Sequence, residues 1–220
     1  LKSSIYSSEL FPSTFNVFRK DRPITNTKGK AYGGVLIATK SEFVCVNRPD
    51  LDSDCELMWV EIKITGAKPV LVGSFYRPPS SVLEYLTKLR ESLTQIDSNR
   101  YSNIWLGGDF NLAGIDWPMQ CVRAGADKAN ICRELIDLAN DFGLEQMVEK
   151  PTRKNNILDL FFIKNPSMVI KSTVIPGISD HDGIPLIMLN TKPAAPKQKP
   201  RKVHLYQKAN IKDLKADVKD

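Results

Sequence analysis

The sequence predicts a single mixed α/β domain followed by a short basic tail. Of its 220 residues, 42% are hydrophobic and 25% charged, close to the average of globular proteins, so a packed core is expected. Segments rich in β-branched and aromatic residues recur along the chain, and two stretches show helical periodicity. Apolar runs stay well below the ~20 residues that a membrane helix needs, so we expect no membrane association.

The predicted strands dominate the chain. They are Phe15–Lys20, Tyr32–Thr39, Leu57–Thr65, Pro69–Tyr76, Ile104–Leu106, Leu144–Val148, Ile157–Lys164, Met168–Ile175 and Ile184–Leu189. In the third strand Trp59 and Glu61 alternate with Met58 and Val60, which predicts one solvated face or edge.

Two amphipathic helices separate these strands. Ser81 to Glu84 fits a capping box, and apolar residues at helical spacing follow it. The second helix runs from about Asn130, with one apolar face, and ends at Gly143.

The net charge of +6 belongs to the end of the chain. Residues 1–191 hold 22 basic and 22 acidic side chains, whereas residues 192–220 hold nine and three. The proline-rich, basic composition after Thr191 indicates a linker. We therefore expect a domain at 1–190, and at 191–220 a linker and the start of a following region. The tail predicts salt-dependent affinity for DNA.

The four cysteines form neither a CxxC pair nor a dense framework. Disulfides and structural zinc sites have closer or more regular spacing. Cys45, Cys55, Cys121 and Cys132 are therefore expected to be reduced thiols in a protein that is nuclear or otherwise intracellular and is not secreted.

The sharpest polar motif follows a predicted buried strand. Gly107 and Gly108 precede Asp109, and Asn111 follows with one residue between. In extended geometry the side chains of Asp109 and Asn111 point the same way, so a carboxylate able to deprotonate water would lie beside an amide able to contact phosphate. An ordinary turn uses the same residue types.

One histidine precedes a strand among acidic neighbours. His181 lies between Asp180 and Asp182, a setting that suits proton transfer or phosphate contact; a turn with capping carboxylates is the alternative. Asp159 lies inside an apolar strand, where a buried acid needs a partner. His181 is the obvious partner, and a capped turn or an arginine is the alternative.

A third motif ends the fourth strand. Tyr76 is suited to stabilise a developing oxyanion, and Arg77 to hold a phosphate or brace a carboxylate, although a proline-stopped turn also explains them. Carboxylate, amide, phenol and imidazole groups at strand ends together suit phosphate-ester hydrolysis assisted by a hard divalent metal.

These motifs, in this order, resemble the endonuclease/exonuclease/phosphatase superfamily. The resemblance rests on SFYRPP, GGDFN, LDLFF and SDH across residues 1–190. The YRPP form, Pro151-Thr152-Arg153, and Phe18 to Arg22 are similar to endonuclease domains of non-LTR, LINE-type retrotransposons.

The resemblance implies a four-layer α/β sandwich of two mostly antiparallel mixed sheets with helices outside. It implies that Asp109 positions and deprotonates water, Asn111 holds the scissile phosphate, His181 contacts a phosphate oxygen, and Tyr76 stabilises charge. Asp159 would pair with His181, and Arg77 and Thr152 would contact the substrate. Magnesium, or alternatively manganese, would be bound by Asp180 with Asp109, Asn111 and His181.

The resemblance also implies partners: DNA, nicked to prime reverse transcription, and a reverse transcriptase domain in the same polypeptide. The family has an Asn and a metal-binding Glu before the first motif seen here, and Glu9 is not equivalent to that Glu. We therefore expect these residues alone to be weakly active or inactive. A phosphatase on the same scaffold and a catalytically dead remnant are the alternatives.

Overall fold

The computed structural model of the chain describes residues 5–22, 33–177 and 180–195. Three α-helices and twelve β-strands occur in these ranges. The helices are α1 (Ser7–Leu10), α2 (Glu84–Thr94) and α3 (Ala129–Asp141). The strands are β1 (Phe15–Asp21), β2 (Gly34–Lys40), β3 (Cys45–Asn47), β4 (Leu57–Ile62), β5 (Val70–Tyr76), β6 (Asn103–Asp109), β7 (Ile115–Asp116), β8 (Cys121–Val122), β9 (Glu145–Gln146), β10 (Asp159–Ile163), β11 (Val169–Pro176) and β12 (Gly183–Leu189).

A six-stranded mixed sheet forms the centre of the domain. Its strand order is β3-β4-β5-β6-β10-β9, with β5 and β6 parallel and the other pairs antiparallel. The predicted mixed α/β fold is therefore confirmed. Parallel pairing brings the ends of β5 and β6 to one edge, where the polar motifs lie.

Two layers cover this sheet. Helices α2 and α3 pack on one face through a large apolar cluster that includes Leu89, Leu135 and Trp59. On the other face, hairpin β1–β2 packs on β4 through Ile37 and Val60, and hairpin β11–β12 packs on β6 and β10. In the described ranges the second sheet of the expected sandwich thus consists of two separate hairpins.

The expectation of a solvated face on β4 is wrong. All six residues of this strand are buried, because each face meets a covering layer. Glu61 is tolerated there since its carboxylate accepts hydrogen bonds from Arg48 (3.1 Å) and Arg100 (2.7 Å). Strand β4 therefore has no solvated side.

The predicted second helix is confirmed, but the capping box of the first is not formed. Helix α3 ends before Gly143, whose φ of +61° is the left-handed conformation typical of a helix stop. Helix α2 begins at Glu84 without a side-chain cap. The Ser81 hydroxyl donates to the Pro78 carbonyl at 2.8 Å, and the N-cap position falls on Leu83, two residues after Ser81.

The chain stays attached to the sheet beyond the expected domain boundary. The amide of Val44 donates to the Ala194 carbonyl (3.0 Å), and the amide of Ala194 donates to the Lys63 carbonyl (2.7 Å). These contacts extend the hydrogen-bonded part of the domain to Ala194, four residues past residue 190. No described helix is long and apolar enough to cross a membrane.

Candidate active site

Three adjacent strands place polar side chains at one edge of the central sheet, which we call the site edge. Tyr76 at the end of β5 pairs in register with Asp109 at the end of β6. Asp159 at the start of the antiparallel β10 pairs with Asp109 on its other side. Neighbouring strands lie about 4.8 Å apart, so these three residues form a row across the sheet.

Gly108 permits the close pairing of β5 and β6 at this edge. Its φ is +150°, and a Cβ there would lie 1.7 Å from the Phe75 carbonyl oxygen. Only glycine fits such an approach of two backbones. Gly108 therefore serves the strand pairing that positions Asp109, whereas a Cβ at Gly107 would come no closer than 3.4 Å to its neighbours.

His181 reaches this row from the loop before β12. Its Nδ1 lies 2.6 Å from Asp159 Oδ2, and its Nε2 lies 3.6 Å from Asp109 Oδ2. When Nδ1 carries the proton and donates it to Asp159, Nε2 faces Asp109. Of the partners considered for Asp159 from the sequence, the structure selects His181.

Gly177 closes the loop that carries His181. Its amide donates to the Asp182 carbonyl at 2.8 Å, and a Cβ at Gly177 would lie 1.8 Å from the His181 carbonyl oxygen. The capping carboxylate considered as the alternative is present at Asp182, whose Oδ2 accepts from the Lys154 amide at 2.6 Å, and it coexists with the imidazole contacts. Residues 178 and 179 lie outside the described ranges.

Asn111 orients the Asp109 carboxylate. The backbone amide of Asn111 donates to Asp109 Oδ1 (3.0 Å), and its side-chain Nδ2 donates to Asp109 Oδ2 (2.8 Å). Nδ2 also donates to the Arg77 carbonyl at 3.0 Å. With both Nδ2 protons so directed, Oδ1 is the atom of Asn111 suited to hold a cation.

Burial changes the acidity of Asp109. Desolvation, with the nearby charge of Asp159, raises its pKa from 3.8 to about 6. Hydrogen bonds from Asn111 and the charge of His181 act in the opposite direction. A carboxylate with this pKa is ionised at neutral pH and still accepts a proton readily.

Asp109, Asp159 and His181 have the donor set of a divalent-cation site. Their ligand atoms all lie within 4.8 Å of one another. Carboxylate oxygens suit Mg²⁺ and Mn²⁺, and imidazole suits the softer Mn²⁺ better. The residues present therefore fit such a cation.

Asp180, expected among the metal ligands, lies outside this cluster. Its side chain is 69% exposed and forms an ion pair of 2.7 Å with Arg153. The guanidinium group therefore holds the carboxylate away from Asp109 and His181.

Tyr76 packs against an arginine–glutamate pair that the sequence did not predict. The Arg22 guanidinium carbon lies 5.5 Å from the centre of the Tyr76 ring, and Arg22 Nε pairs with Glu56 Oε1 at 2.5 Å. The sequence gives no signal for this pair because 34 residues separate its members. Glu56 also accepts from the Gly34 amide at 2.9 Å.

Arg77 and Thr152, expected to contact substrate, have no exposed surface. Arg77 bonds backbone carbonyls behind the site. Thr152 Oγ1 accepts from the amides of Leu158 and Asp159, both at 3.1 Å. Both side chains therefore lie beneath the site and do not line it. Arg77 donates to buried backbone carbonyls, and Thr152 accepts from buried backbone amides.

Comparison with known proteins places the chain in a family. The family model Exo_endo_phos_2, described as endonuclease-reverse transcriptase, matches residues 70–185. No curated protein sequence gives a significant match.

Several solved structures share the fold at low identity. The endonuclease domain of TRAS1, a telomere-specific non-LTR retrotransposon, aligns with a TM-score of 0.60 and 18% identity over 80% of each chain. A 3′ phosphatase, NExo, from Neisseria, bound to a product DNA hairpin, has a TM-score of 0.53 and 15% identity, covering 83% of this chain and 84% of its own. An endonuclease/exonuclease/phosphatase family protein from Leptotrichia buccalis C-1013-b has values of 0.52 and 16%, covering 83% and 74%.

The family match includes every strand of the site edge and the His181 loop. It spans more than half of the chain, and the shared fold agrees with it. The chain therefore belongs to the endonuclease-reverse transcriptase family, Exo_endo_phos_2, with the endonuclease/exonuclease/phosphatase fold.

Proposed function

We propose that this domain is a divalent-cation-dependent endonuclease that hydrolyses a phosphodiester bond in one strand of DNA. The observation that carries the proposal is the cluster of Asp109, Asp159 and His181, with ligand atoms within 4.8 Å of one another. In the proposed reaction, water attacks the phosphorus, and the bond from phosphorus to the 3′ oxygen breaks. The products are a 3′-hydroxyl and a 5′-phosphate.

Asp109 is the base in this proposal. Its carboxylate is oriented by two hydrogen bonds from Asn111, and its pKa of about 6 lets it accept the proton of the attacking water near neutral pH. Positioning the water in line with the bond that breaks supplies a further part of the rate.

His181 and Asp159 act on the phosphate in this proposal. Asp159 stabilises the protonated imidazole through the 2.6 Å contact, and the imidazole Nε2 donates to a phosphate oxygen. Such charge-assisted hydrogen bonds are about twice as strong as neutral ones. Tyr76, next to Asp109 in register, is placed to stabilise the charge that develops on the phosphate.

Asp109 and Asn111 would hold the cation, with Asp180 joining once it leaves Arg153, while the protonated His181 contacts the phosphate. When bound, a divalent cation neutralises charge on the phosphate and polarises its oxygen. The likeness to the TRAS1 endonuclease domain and the family description support two finer proposals. The 3′-hydroxyl serves as primer, and a reverse transcriptase domain acts with this one.

A phosphatase is the second candidate. The 3′ phosphatase from Neisseria shares this fold at a TM-score of 0.53, and the same site chemistry cleaves phosphomonoesters. The substrate therefore has to be settled by direct comparison.

The test compares two substrates with one set of variants. The natural full-length protein is incubated with Mg²⁺ and either supercoiled plasmid or an oligonucleotide bearing a 3′-phosphate. Asp109→Asn and His181→Asn are expected to lower plasmid nicking by at least about 100-fold. Asp137→Asn, exposed on α3, is the matched control and keeps full activity.

Each outcome decides between the candidates. Nicking that is lost in both site variants supports the endonuclease. Faster release of the 3′-phosphate than nicking replaces it with the phosphatase. Equal activity of all variants on both substrates shows that this cluster is not the active site.

A further inference from the structure

A buried arginine side chain, that of Arg77, lies directly behind the site edge. Arg77 has no exposed surface, and among the described residues no carboxylate oxygen lies within 4.0 Å of its guanidinium group. Burial lowers its pKa. An arginine kept in the interior without a carboxylate partner needs another explanation, because burying the charge is costly.

The guanidinium group bonds backbone carbonyls from two loops. Arg77 donates to the Ser81 carbonyl at 2.6 Å, and to those of Phe110 and Asn111 at 3.5 and 3.4 Å. The first of these carbonyls precedes α2, and the other two follow β6. One planar group therefore joins both loops that leave the site edge.

The backbone of Arg77 holds the same loop. Its amide donates to the Asp109 carbonyl at 2.9 Å, and its own carbonyl accepts from Asn111 Nδ2 at 3.0 Å. Arg77 thus contacts the residues on both sides of Phe110, whose ring is buried between Phe75 and Phe162. Side chain and main chain act on one short segment.

That segment has an unusual conformation at Asn111. Its φ is +51°, in the left-handed region that residues with a Cβ seldom adopt and that asparagine adopts more readily than most. This conformation lets both the Asn111 amide and its side chain donate to the two oxygens of Asp109. The direction of the Asp109 carboxylate therefore depends on how Asn111 is held.

We propose that Arg77 is a positioning residue for the reaction: its guanidinium group holds the 110–111 segment so that Asn111 orients the Asp109 carboxylate. Its catalytic consequence rests on the proposed function, whereas its structural consequence does not. Lysine cannot replace it, because the three donors of an ammonium group lie on one nitrogen, whereas two separate nitrogens of the planar guanidinium group contact the carbonyls of the two loops.

The test uses Arg77→Ala with Leu89→Ala as the control. Leu89 is a fully buried residue of α2, and its truncation destabilises the core without removing a hydrogen bond to Asn111. Nicking kinetics and the NMR signals of the Asn111 side-chain amide are measured for both, together with recovery on adding millimolar guanidinium. Arg77→Lys undergoes the same measurements in case the alanine variant does not fold.

We expect Arg77→Ala and Arg77→Lys to shift the Asn111 amide signals and to lower kcat about 10- to 100-fold with little change in KM. Guanidinium should restore part of the kcat of Arg77→Ala, and Leu89→Ala should keep its kcat. Unchanged Asn111 signals in a folded Arg77 variant would overturn the proposal. If the unsubstituted protein does not nick DNA, the proposed function fails, and the Asn111 signals still decide the positioning role.

Discussion

At the residue scale, Asp109 experiences two opposing influences. Burial and the charge of Asp159 favour its neutral form, and the hydrogen bonds from Asn111 favour the carboxylate. The first influence is larger, so the pKa rises from 3.8 to about 6. Ionisation of Asp109, which the reaction requires, therefore lowers the free energy of unfolding.

This destabilisation by ionised Asp109 predicts that the effect of Asp109→Asn on the free energy of unfolding depends on pH. Because the folded protein keeps the proton up to about pH 6 and the unfolded chain releases it earlier, the free energy of unfolding falls as pH rises through that window. The variant removes this loss. Urea denaturation in metal-free buffer should show it gaining about 1 kcal/mol relative to the unsubstituted protein between pH 5 and pH 8. An equal difference at both pH values would contradict the raised pKa.

Thr152 gives a second prediction at this scale. Its buried hydroxyl accepts from the Leu158 and Asp159 amides, and its carbonyl accepts from the Gly183 amide at 2.9 Å. Thr152→Val leaves two buried donors without an acceptor and should cost about 2 kcal/mol of stability. Thr152→Ser keeps the hydroxyl and should cost less than half of that. Equal losses in denaturant titrations of the two variants would show that the hydroxyl contributes nothing.

The sequence predicted the polar residues of the site better than their partners. Asp109, Asn111, Asp159 and His181 stood out because each is polar beside an apolar strand, and the structure brings all four together. The pair of Arg153 with Asp180 left no such signal, because it depends on how two distant loops meet. Burial of Arg77 was equally hidden, since an arginine at a strand end is usually exposed.

At the element scale, periodicity identified the long strands and helix α3, but it missed the short strands β3, β7 and β8. Local capping was also less reliable. The apolar repeat of α3 has a single explanation, so its limits were predicted closely. The capping box at Ser81 is not formed because helix α2 begins at Glu84, which puts Leu83 and not Ser81 at the N-cap position. The buried face of β4 was missed because alternation of polar and apolar residues cannot show that Glu61 meets two arginines.

The turn at Gly177 provides the prediction at the element scale. A Cβ there would lie 1.8 Å from the His181 carbonyl oxygen, so Gly177→Ala must displace the loop that carries His181. We expect a loss of nicking activity of about 100-fold with a much smaller loss of overall stability, since the loop lies outside the apolar core. Gly125→Ala is the control for backbone strain outside the His181 loop, because its φ of +70° disfavours alanine although no atom lies within 4 Å of the added carbon; it should lose stability and keep its kcat. Unchanged kcat in Gly177→Ala would mean that the loop tolerates displacement.

At the scale of the whole molecule, charge is separated from the fold. The eight basic and three acidic residues after Ala195 carry most of the net charge of +6, and the hydrogen-bonded part of the domain extends to Ala194. A truncation that tests the tail should therefore end at residue 195, because ending at 191 removes the contacts with Val44 and Lys63.

The tail predicts the salt dependence of DNA binding. Each phosphate contact made by a lysine or arginine contributes about 0.9 to the slope of log affinity against log salt. Removing residues 196–220 should lower the magnitude of this slope by several units, measured by fluorescence anisotropy with a duplex between 50 and 200 mM salt, while the unfolding midpoint stays unchanged. The same slope in both proteins would assign the contact surface to the domain itself.

The chemistry of the DNA ends tests the central claim most directly. The ends left on nicked plasmid are examined by extension with a DNA polymerase, with and without prior phosphatase treatment. The account predicts 3′-hydroxyl ends that are extended without treatment, and no such ends with Asp109→Asn or His181→Asn. Ends that need phosphatase treatment before extension, or nicks that persist in both variants, would contradict hydrolysis by the Asp109, Asp159 and His181 cluster.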